Sequence, residues 1–431
     1  MKYLLTFLFS LCVSLHAQNL YFPPIQGNAW DTITPESLGW CQPEIDSLYE
    51  LLEAQNTKAF LVLKDGKMAL EKYFGSFDQD SVWYWASAGK TVTAFLVGKA
   101  QEEGFLSISD PTSDYLGKGW SSCAPTQEDS ITIWHQLTMT TGLDDNVPNV
   151  DCIDDTCLQY LAPVGTRWAY HNGPYTLLSY VVESATNNTY QAYTRDKLFA
   201  QTGMRGFWLP LGYNRTFFSN ARSMARFGLL MLNGGRWDNV AVMQDTIYFN
   251  SLANTSQVVN PSYGYLWWLN GKSNFMLPGS QFSFPGFLLP NAPADLYAAM
   301  GKNGQFVIVV PSQNLVMIRM GNAPSNSLVP AALLRDIWDK FEALSCNPTS
   351  IEVTENVQPA VYPNPATQMI RVVLPKEWEN PVVSLKNIQG KVIASEQGAE
   401  ALDVSSLPAG LYLLEIRTQD KAWVKKVQVL N

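Results

Sequence analysis

The chain has 431 residues, enough for two or three domains, and 46% of them are hydrophobic against 16% charged, a balance that supports a sizeable core. A formal net charge of −9 argues against nucleic-acid binding through phosphate contacts. After the N-terminus no apolar stretch is long enough to span a membrane, so no transmembrane segment is expected in the mature protein.

Residues 1–17 read as a secretory signal peptide: Lys2 supplies the charge, Tyr3 to Leu15 the apolar stretch, and Ala17 the small residue before the cut. Leu11 before Cys12 does not fit a lipoprotein signal. Cleavage leaves Cys41, Cys123, Cys152, Cys157 and Cys346, and export permits disulfides. Cys152 and Cys157, flanking a short acidic loop, are the best candidate pair; five is odd, so at least one thiol is free or paired elsewhere. With only His135 and His171 remaining and no CxxC, no metal site or other cofactor is expected.

Lys58–Leu63 and Lys67–Phe74 alternate around Lys64-Asp65-Gly66 and read as a β-hairpin. A helix-like run follows from Thr91 to Ala100. Ile131 to Leu137 opens with β-branched residues, with His135 in a structural place at a helix start. Tyr175–Ala185 and Ser223–Leu232 carry helical periodicity, Val307–Pro311 and Leu315–Met320 read as paired strands, and Ala331–Leu344 as a closing helix. Strands at both ends with helices between predict one α/β domain with a helical insertion over 18–345. Residues 346–359 are polar and aperiodic, a linker. Residues 360–431 break into short alternating segments separated by turns, the pattern of a small all-β sandwich.

The chemistry centres on Ser87 and Lys90, in Trp85-Ala86-Ser87-Ala88-Gly89-Lys90. A spacing of three puts both side chains on one helix face. A serine needs a base to become a nucleophile, and a lysine serves if burial lowers its pKa. Further on stand Tyr170-His171-Asn172, a Tyr-x-Asn, and Lys302-Asn303-Gly304-Gln305, a Lys-x-Gly leading into a strand. Tyr248-Phe249-Asn250 and Lys64-Asp65-Gly66 match the same patterns, so order and context decide between them.

Ser-x-x-Lys, then Tyr-x-Asn before a helix, then Lys-x-Gly on a late strand resembles the serine β-lactamase and penicillin-binding-protein superfamily. Residues 35 to 345 are most similar to its class C β-lactamase-related esterases and 6-aminohexanoate-dimer hydrolases. The likeness extends to Leu61-Val62-Leu63-Lys64-Asp65-Gly66, Thr138-Met139-Thr140-Thr141-Gly142-Leu143 and Ser223-Met224-Ala225-Arg226-Phe227-Gly228. It implies an antiparallel sheet flanked by helices with an all-helical subdomain, and an ester or small-amide hydrolase working through an acyl-enzyme. Ser87 would be nucleophile, Lys90 base or proton relay, and Tyr170 co-base and acid for the leaving group. Asn172 would position Lys90 or the substrate, and Asn214 would match a pocket asparagine of the amide-hydrolysing relatives. Lys302, Asn303 and Gly304 would replace Lys-Thr-Gly, and the backbone N–H groups of Ser87 and Gln305 would form the oxyanion hole. Asn303 departs from the usual threonine, whose hydroxyl helps hold a substrate carboxylate, and His171 stands where it can perturb Tyr170. The alternatives to an esterase are a β-lactamase or D,D-peptidase, and a catalytically silent binding protein. The aromatic-rich stretch 271–296 is a candidate rim over the site.

In the C-terminal segment, Val361-Tyr362-Pro363-Asn364-Pro365, Gln389-Gly390-Lys391, Leu407-Pro408-Ala409-Gly410-Leu411-Tyr412 and Lys425-Lys426-Val427 resemble the type A sorting domain of the type IX secretion system. That resemblance implies the secretion machinery as a partner, passage through the periplasm of a Gram-negative bacterium, and a secreted or cell-surface location.

Overall fold

The computed structural model describes residues 20–346, 359–374, 378, 380–418 and 422–430. The signal segment and residues 347–358 of the linker lie outside them. The chain divides into two compact units, 1–346 and 347–431.

The elements that position the site in the larger unit are, in chain order, α1 (Gln42–Ala54), β1 (Thr57–Lys64), β2 (Lys67–Tyr73), β3 (Trp83–Tyr84), α2 (Lys90–Glu102), α3 (Asn172–Thr186), β4 (Gly206–Leu211), β5 (Asn214–Ser219), α4 (Ala221–Leu232), β6 (Trp268–Leu269), β7 (Tyr297–Gly301), β8 (Gln305–Val310), β9 (Leu315–Gly321) and α5 (Ala331–Glu342). The β1–β2 turn places Asp65 at φ 53° and Gly66 at φ 81°, the two left-handed residues that a tight hairpin requires. Gly66 also admits the segment around Tyr21, whose N–H donates to the Asp65 carbonyl at 3.0 Å, because a Cβ there would lie 2.0 Å from the Tyr21 carbonyl oxygen.

The main sheet is antiparallel in the order β2-β1-β9-β8-β7-β6. Strand β8 is buried along its whole length and β9 likewise, so both faces must be covered. Helix α4 packs on β8 and β9, closely enough that a Cβ on Gly228 would meet Val316 at 2.4 Å; α1 and α5 pack together and against the sheet through buried Leu48, Leu334 and Trp338. Helix α2 is buried from Lys90 to Ala100, polar residues included, which makes it the central helix between the sheet unit and the helical part rather than an amphipathic surface helix. Ile131–Leu137 resolves into a single helical turn, Ile133–Leu137, where Thr132 and His135 form a capping box: the His135 Nδ1 accepts from the Thr132 N–H at 3.1 Å.

Cys152 pairs with Cys157. A second disulfide joins Cys41, before α1, to Cys346, after α5, and Cys123 is the half-buried free thiol among the described residues. Cys346 thus belongs to the body, one residue beyond the expected boundary.

The smaller unit stacks two antiparallel sheets: Ala360–Tyr362, Met369–Val373 and Ala401–Asp403 in one, and Val392–Gln397, Val382–Asn387, Gly410–Arg417 and Ala422–Val429 in the other. Alternate residues such as Ile370, Val383, Leu385, Leu414 and Val427 form its separate core.

Candidate active site

Ser87 lies in a 3-10 turn, Ala86–Gly89, between β3 and α2. Ala86, immediately before it, has φ 47°, a left-handed backbone that costs an alanine roughly 1–2 kcal/mol. That cost is offset by a rigid setting. The Trp85 backbone N–H donates to the Phe217 carbonyl at 2.8 Å and its buried indole N–H to Ser219 Oγ at 2.8 Å.

Lys90 opens α2 and is only 3% exposed. Its Nζ lies 3.0 Å from Ser87 Oγ, 4.2 Å above the Tyr175 ring and 5.1 Å from the Tyr170 ring. Burial brings its pKa down to about 7, against a partial upward pull from the Asp151 carboxylate. A buried lysine in this state exchanges protons at neutral pH.

Tyr170 is 4% exposed and boxed by Trp168, Tyr263 and Trp268, with the Trp268 ring stacked at 5.8 Å. Burial holds its pKa well above the ordinary phenol value, with a smaller downward pull from the neighbouring Ser87, so it carries its proton. His171 is buried with both ring nitrogens lacking a protein partner, and burial pushes its pKa down to about 4, so it is neutral beside Tyr170 at ordinary pH.

Asn172 begins α3, and its Nδ2 donates to Asp151 Oδ1 at 2.6 Å rather than to the Lys90 side of the site. Its Oδ1 is buried without a partner. The loop carrying Asp151 is pressed onto the start of α3: Gly173 N–H donates to the Val150 carbonyl at 2.8 Å, and a Cβ on Gly173 would lie 2.3 Å from the Cys152 carbonyl oxygen. The Cys152–Cys157 disulfide closes the turn that directly follows Asp151. Asp151 is a site residue that the motif reading missed. Asn214 begins β5 and accepts from Thr176 Oγ1 at 3.3 Å, one residue past the Tyr175 ring that faces Lys90.

The third motif meets the serine three residues earlier than the Lys-x-Gly pattern implies. A Cβ on Gly301 would lie 2.5 Å from the Trp85 carbonyl oxygen and 3.1 Å from Ser87 N, so Gly301 is the residue whose bareness lets β7 approach the Ser87 turn. Gly304 lies instead against Arg319 and Leu333. On the opposite edge of β7 from β8, the Asn270 N–H donates to the Leu296 carbonyl. Strand alternation therefore turns the amides of Met300 and Lys302 to the free edge beside Ser87, and those of Tyr297, Ala299 and Gly301 toward β8. Gln305 pairs with Gly301 inside the sheet, and its side chain is spent on Gly321, donating to the carbonyl at 2.6 Å and accepting from the N–H at 3.0 Å. The expected role of Gln305 as second oxyanion donor does not fit this geometry. Lys302 is exposed, and Asn303, at φ 63°, donates through Nδ2 to the Tyr84 hydroxyl at 2.5 Å.

The second Tyr-x-Asn is elsewhere. Tyr248 lies on the helix Thr246–Leu252 and donates to the Ala94 carbonyl at 2.7 Å behind α2. In the stretch 271–296, Gln281 Nε2 donates to the Trp168 carbonyl at 3.0 Å, which brings the cluster of Phe275, Phe282 and Phe284 beside the Tyr170 wall.

An antiparallel sheet covered by helices, with Ser-x-x-Lys at the start of a buried helix and a tyrosine from a helical part at the serine, defines the β-lactamase-like fold. The Beta-lactamase family model matches residues 52–337, and the chain belongs to that family. The model of the secretion system C-terminal sorting domain matches residues 360–430, which marks a secreted or cell-surface protein that engages the type IX machinery. An uncharacterized protein of Alkalihalophilus pseudofirmus is 23% identical over 311 residues, covering 64% of this chain and 86% of its own length. Among solved structures, the "Putative 6-aminohexanoate-dimer hydrolase" from Bacillus anthracis superposes with a TM-score of 0.57 at 17% identity, over 75% of this chain and 89% of that one. A penicillin-binding protein homologue from Caulobacter crescentus gives 0.53 at 14%, over 71% and 98%. These likenesses are of fold.

Proposed function

We propose that this protein is an exported serine hydrolase that cleaves esters or small amides through an acyl-enzyme on Ser87. The observation that carries the reading is the buried Lys90 Nζ, 3.0 Å from Ser87 Oγ with its pKa brought to about 7. Neutral Lys90 accepts the Ser87 proton as Oγ attacks the substrate carbonyl. The oxyanion lies between the N–H groups of Ser87 and Lys302. As the tetrahedral species collapses, the C–O or C–N bond breaks and Tyr170 gives its proton to the leaving alcohol or amine; the Lys90 ammonium then reprotonates Tyr170. Water releases the acyl group by the same proton path in reverse. Asn172 acts through Asp151, whose carboxylate its amide holds and which favours the Lys90 ammonium.

Two features weigh against β-lactams and D-Ala-D-Ala peptides, whose carboxylate sits next to the reacting amide. Asn303 supplies no hydroxyl and commits its amide to Tyr84, and Asp151 adds a carboxylate beside Asn172. Lys302 is the one cation left on that segment. Activated short-chain esters and small linear amides are therefore expected to turn over much faster than penicillins or cephalosporins. The test is kcat/KM for nitrophenyl acetate and butyrate beside nitrocefin on one preparation. A nitrocefin value at or above the ester values replaces this reading with a β-lactamase one, and failure of an active-site serine probe to label Ser87 replaces it with a binding protein. On the same reading the signal peptide takes the chain to the periplasm, and residues 360–431 take it across the outer membrane.

A further inference from the structure

Strands β3, β5 and β4 form a small sheet that begins at the catalytic turn. Directly paired residues share a face. Tyr84 pairs with Phe218 and Phe218 with Phe207, and the next outward pairs along the hairpin are Thr216 with Leu209 and Asn214 with Leu211. The inward face of the same sheet holds Phe217 and Trp208, packed on Trp85 and Tyr190. The outward face carries a row of rings: Tyr84 to Phe218 at 6.2 Å, then Phe218 stacked on Phe207 at 5.4 Å and 1°. Beyond it, Phe207, Leu209 and Leu211 are 44%, 41% and 49% exposed, an apolar surface on one short strand in a protein with covered cores.

The row is continuous with the site. Tyr84 stands three residues before Ser87, and its hydroxyl holds Asn303, two residues beyond Gly301 on the wall that abuts the Ser87 turn. Tyr170, which serves the leaving group, comes from the opposite, helical wall. The strand that bears the exposed residues is the sheet edge, and Pro210 interrupts its backbone donors, which discourages strand addition by another chain. A flexible apolar chain needs no backbone donors.

We propose that the outward face of β3-β5-β4 is the acyl-chain platform of this hydrolase, and that its substrates are esters or amides of medium-length aliphatic or arylalkyl acids whose chain lies along Tyr84, Phe218, Phe207 and Leu209. This rests on the hydrolase reading above. The experiment compares wild type with Phe207→Ser/Leu209→Ser in the full chain, using nitrophenyl acetate and octanoate. The wild-type octanoate-to-acetate ratio of kcat/KM should exceed one, and the variant should lower that ratio on the order of tenfold, since an open surface removes only part of each methylene from water. Loss of both activities by one common factor overturns the platform. So does a ratio that moves only in Phe282→Ser/Phe284→Ser, which would assign the chain to the Tyr170 wall. A second measurement is independent of turnover: N-methyloctanamide should bind the Ser87→Ala protein more tightly than N-methylacetamide in calorimetry, and lose that margin with the Phe207 and Leu209 changes. No margin in Ser87→Ala overturns the platform while leaving the hydrolase reading standing.

Discussion

Tyr170-His171-Asn172 and Tyr248-Phe249-Asn250 are the same motif in two places. Both tyrosines are buried, at 4% and 2% exposure, and burial raises both phenols. They differ in what the hydroxyl meets. Tyr170 faces Ser87 and Lys90 from the helical part, whereas Tyr248 closes one hydrogen bond to a carbonyl of α2. A three-residue pattern therefore says that a phenol is buried; the elements packed on either side say whether it is chemistry.

Five substitutions sharpen that contrast, and one deletion sets it against the other unit. The largest effect is expected from Ser87→Ala, which should abolish both ester hydrolysis and covalent labelling while the protein keeps its melting profile; full activity would end the assignment. Next, Tyr170→Phe and Lys90→Ala should each lower kcat by on the order of a hundredfold or more. Tyr248→Phe should instead leave kcat near wild type and cost about 1–3 kcal/mol of stability in denaturant titration, because the Ala94 carbonyl loses its buried donor. Equal kinetic loss in both tyrosine variants would erase the distinction.

Smaller and more diagnostic is the pH profile. Only neutral Lys90 can accept the Ser87 proton, so kcat/KM should rise with pH through about 7. Asp151 favours the ammonium, so Asp151→Asn should move that rise to lower pH. An unmoved profile would separate Asp151 from Lys90. The smallest catalytic effect is expected from deleting 360–431, since each unit has its own core: purified truncated enzyme should match the full chain in kcat/KM, while the cell retains it in the periplasm. Unchanged export would contradict the role of the sorting domain.

The parts of this protein governed by near neighbours were legible in its sequence. Ser87 and Lys90 share a face because they are three apart at a helix start. The β1–β2 turn follows from Asp65-Gly66, and the short alternating segments after 360 from strand periodicity. The Cys152–Cys157 pair is close in sequence; Cys41 and Cys346, 305 residues apart, give no local sign of meeting. The third motif was read from letters, Lys302-Asn303-Gly304, but which amide faces the serine depends on how β7 pairs with β8 and β6, and a register fixed by distant strands selected Gly301 and Lys302. Asp151 escaped for the same reason: its carboxylate matters only because its loop is pressed on the start of α3. Local spacing determines which side chains share a face. Only packing decides which faces are buried together, and with them the pKa values and free amides on which the chemistry depends.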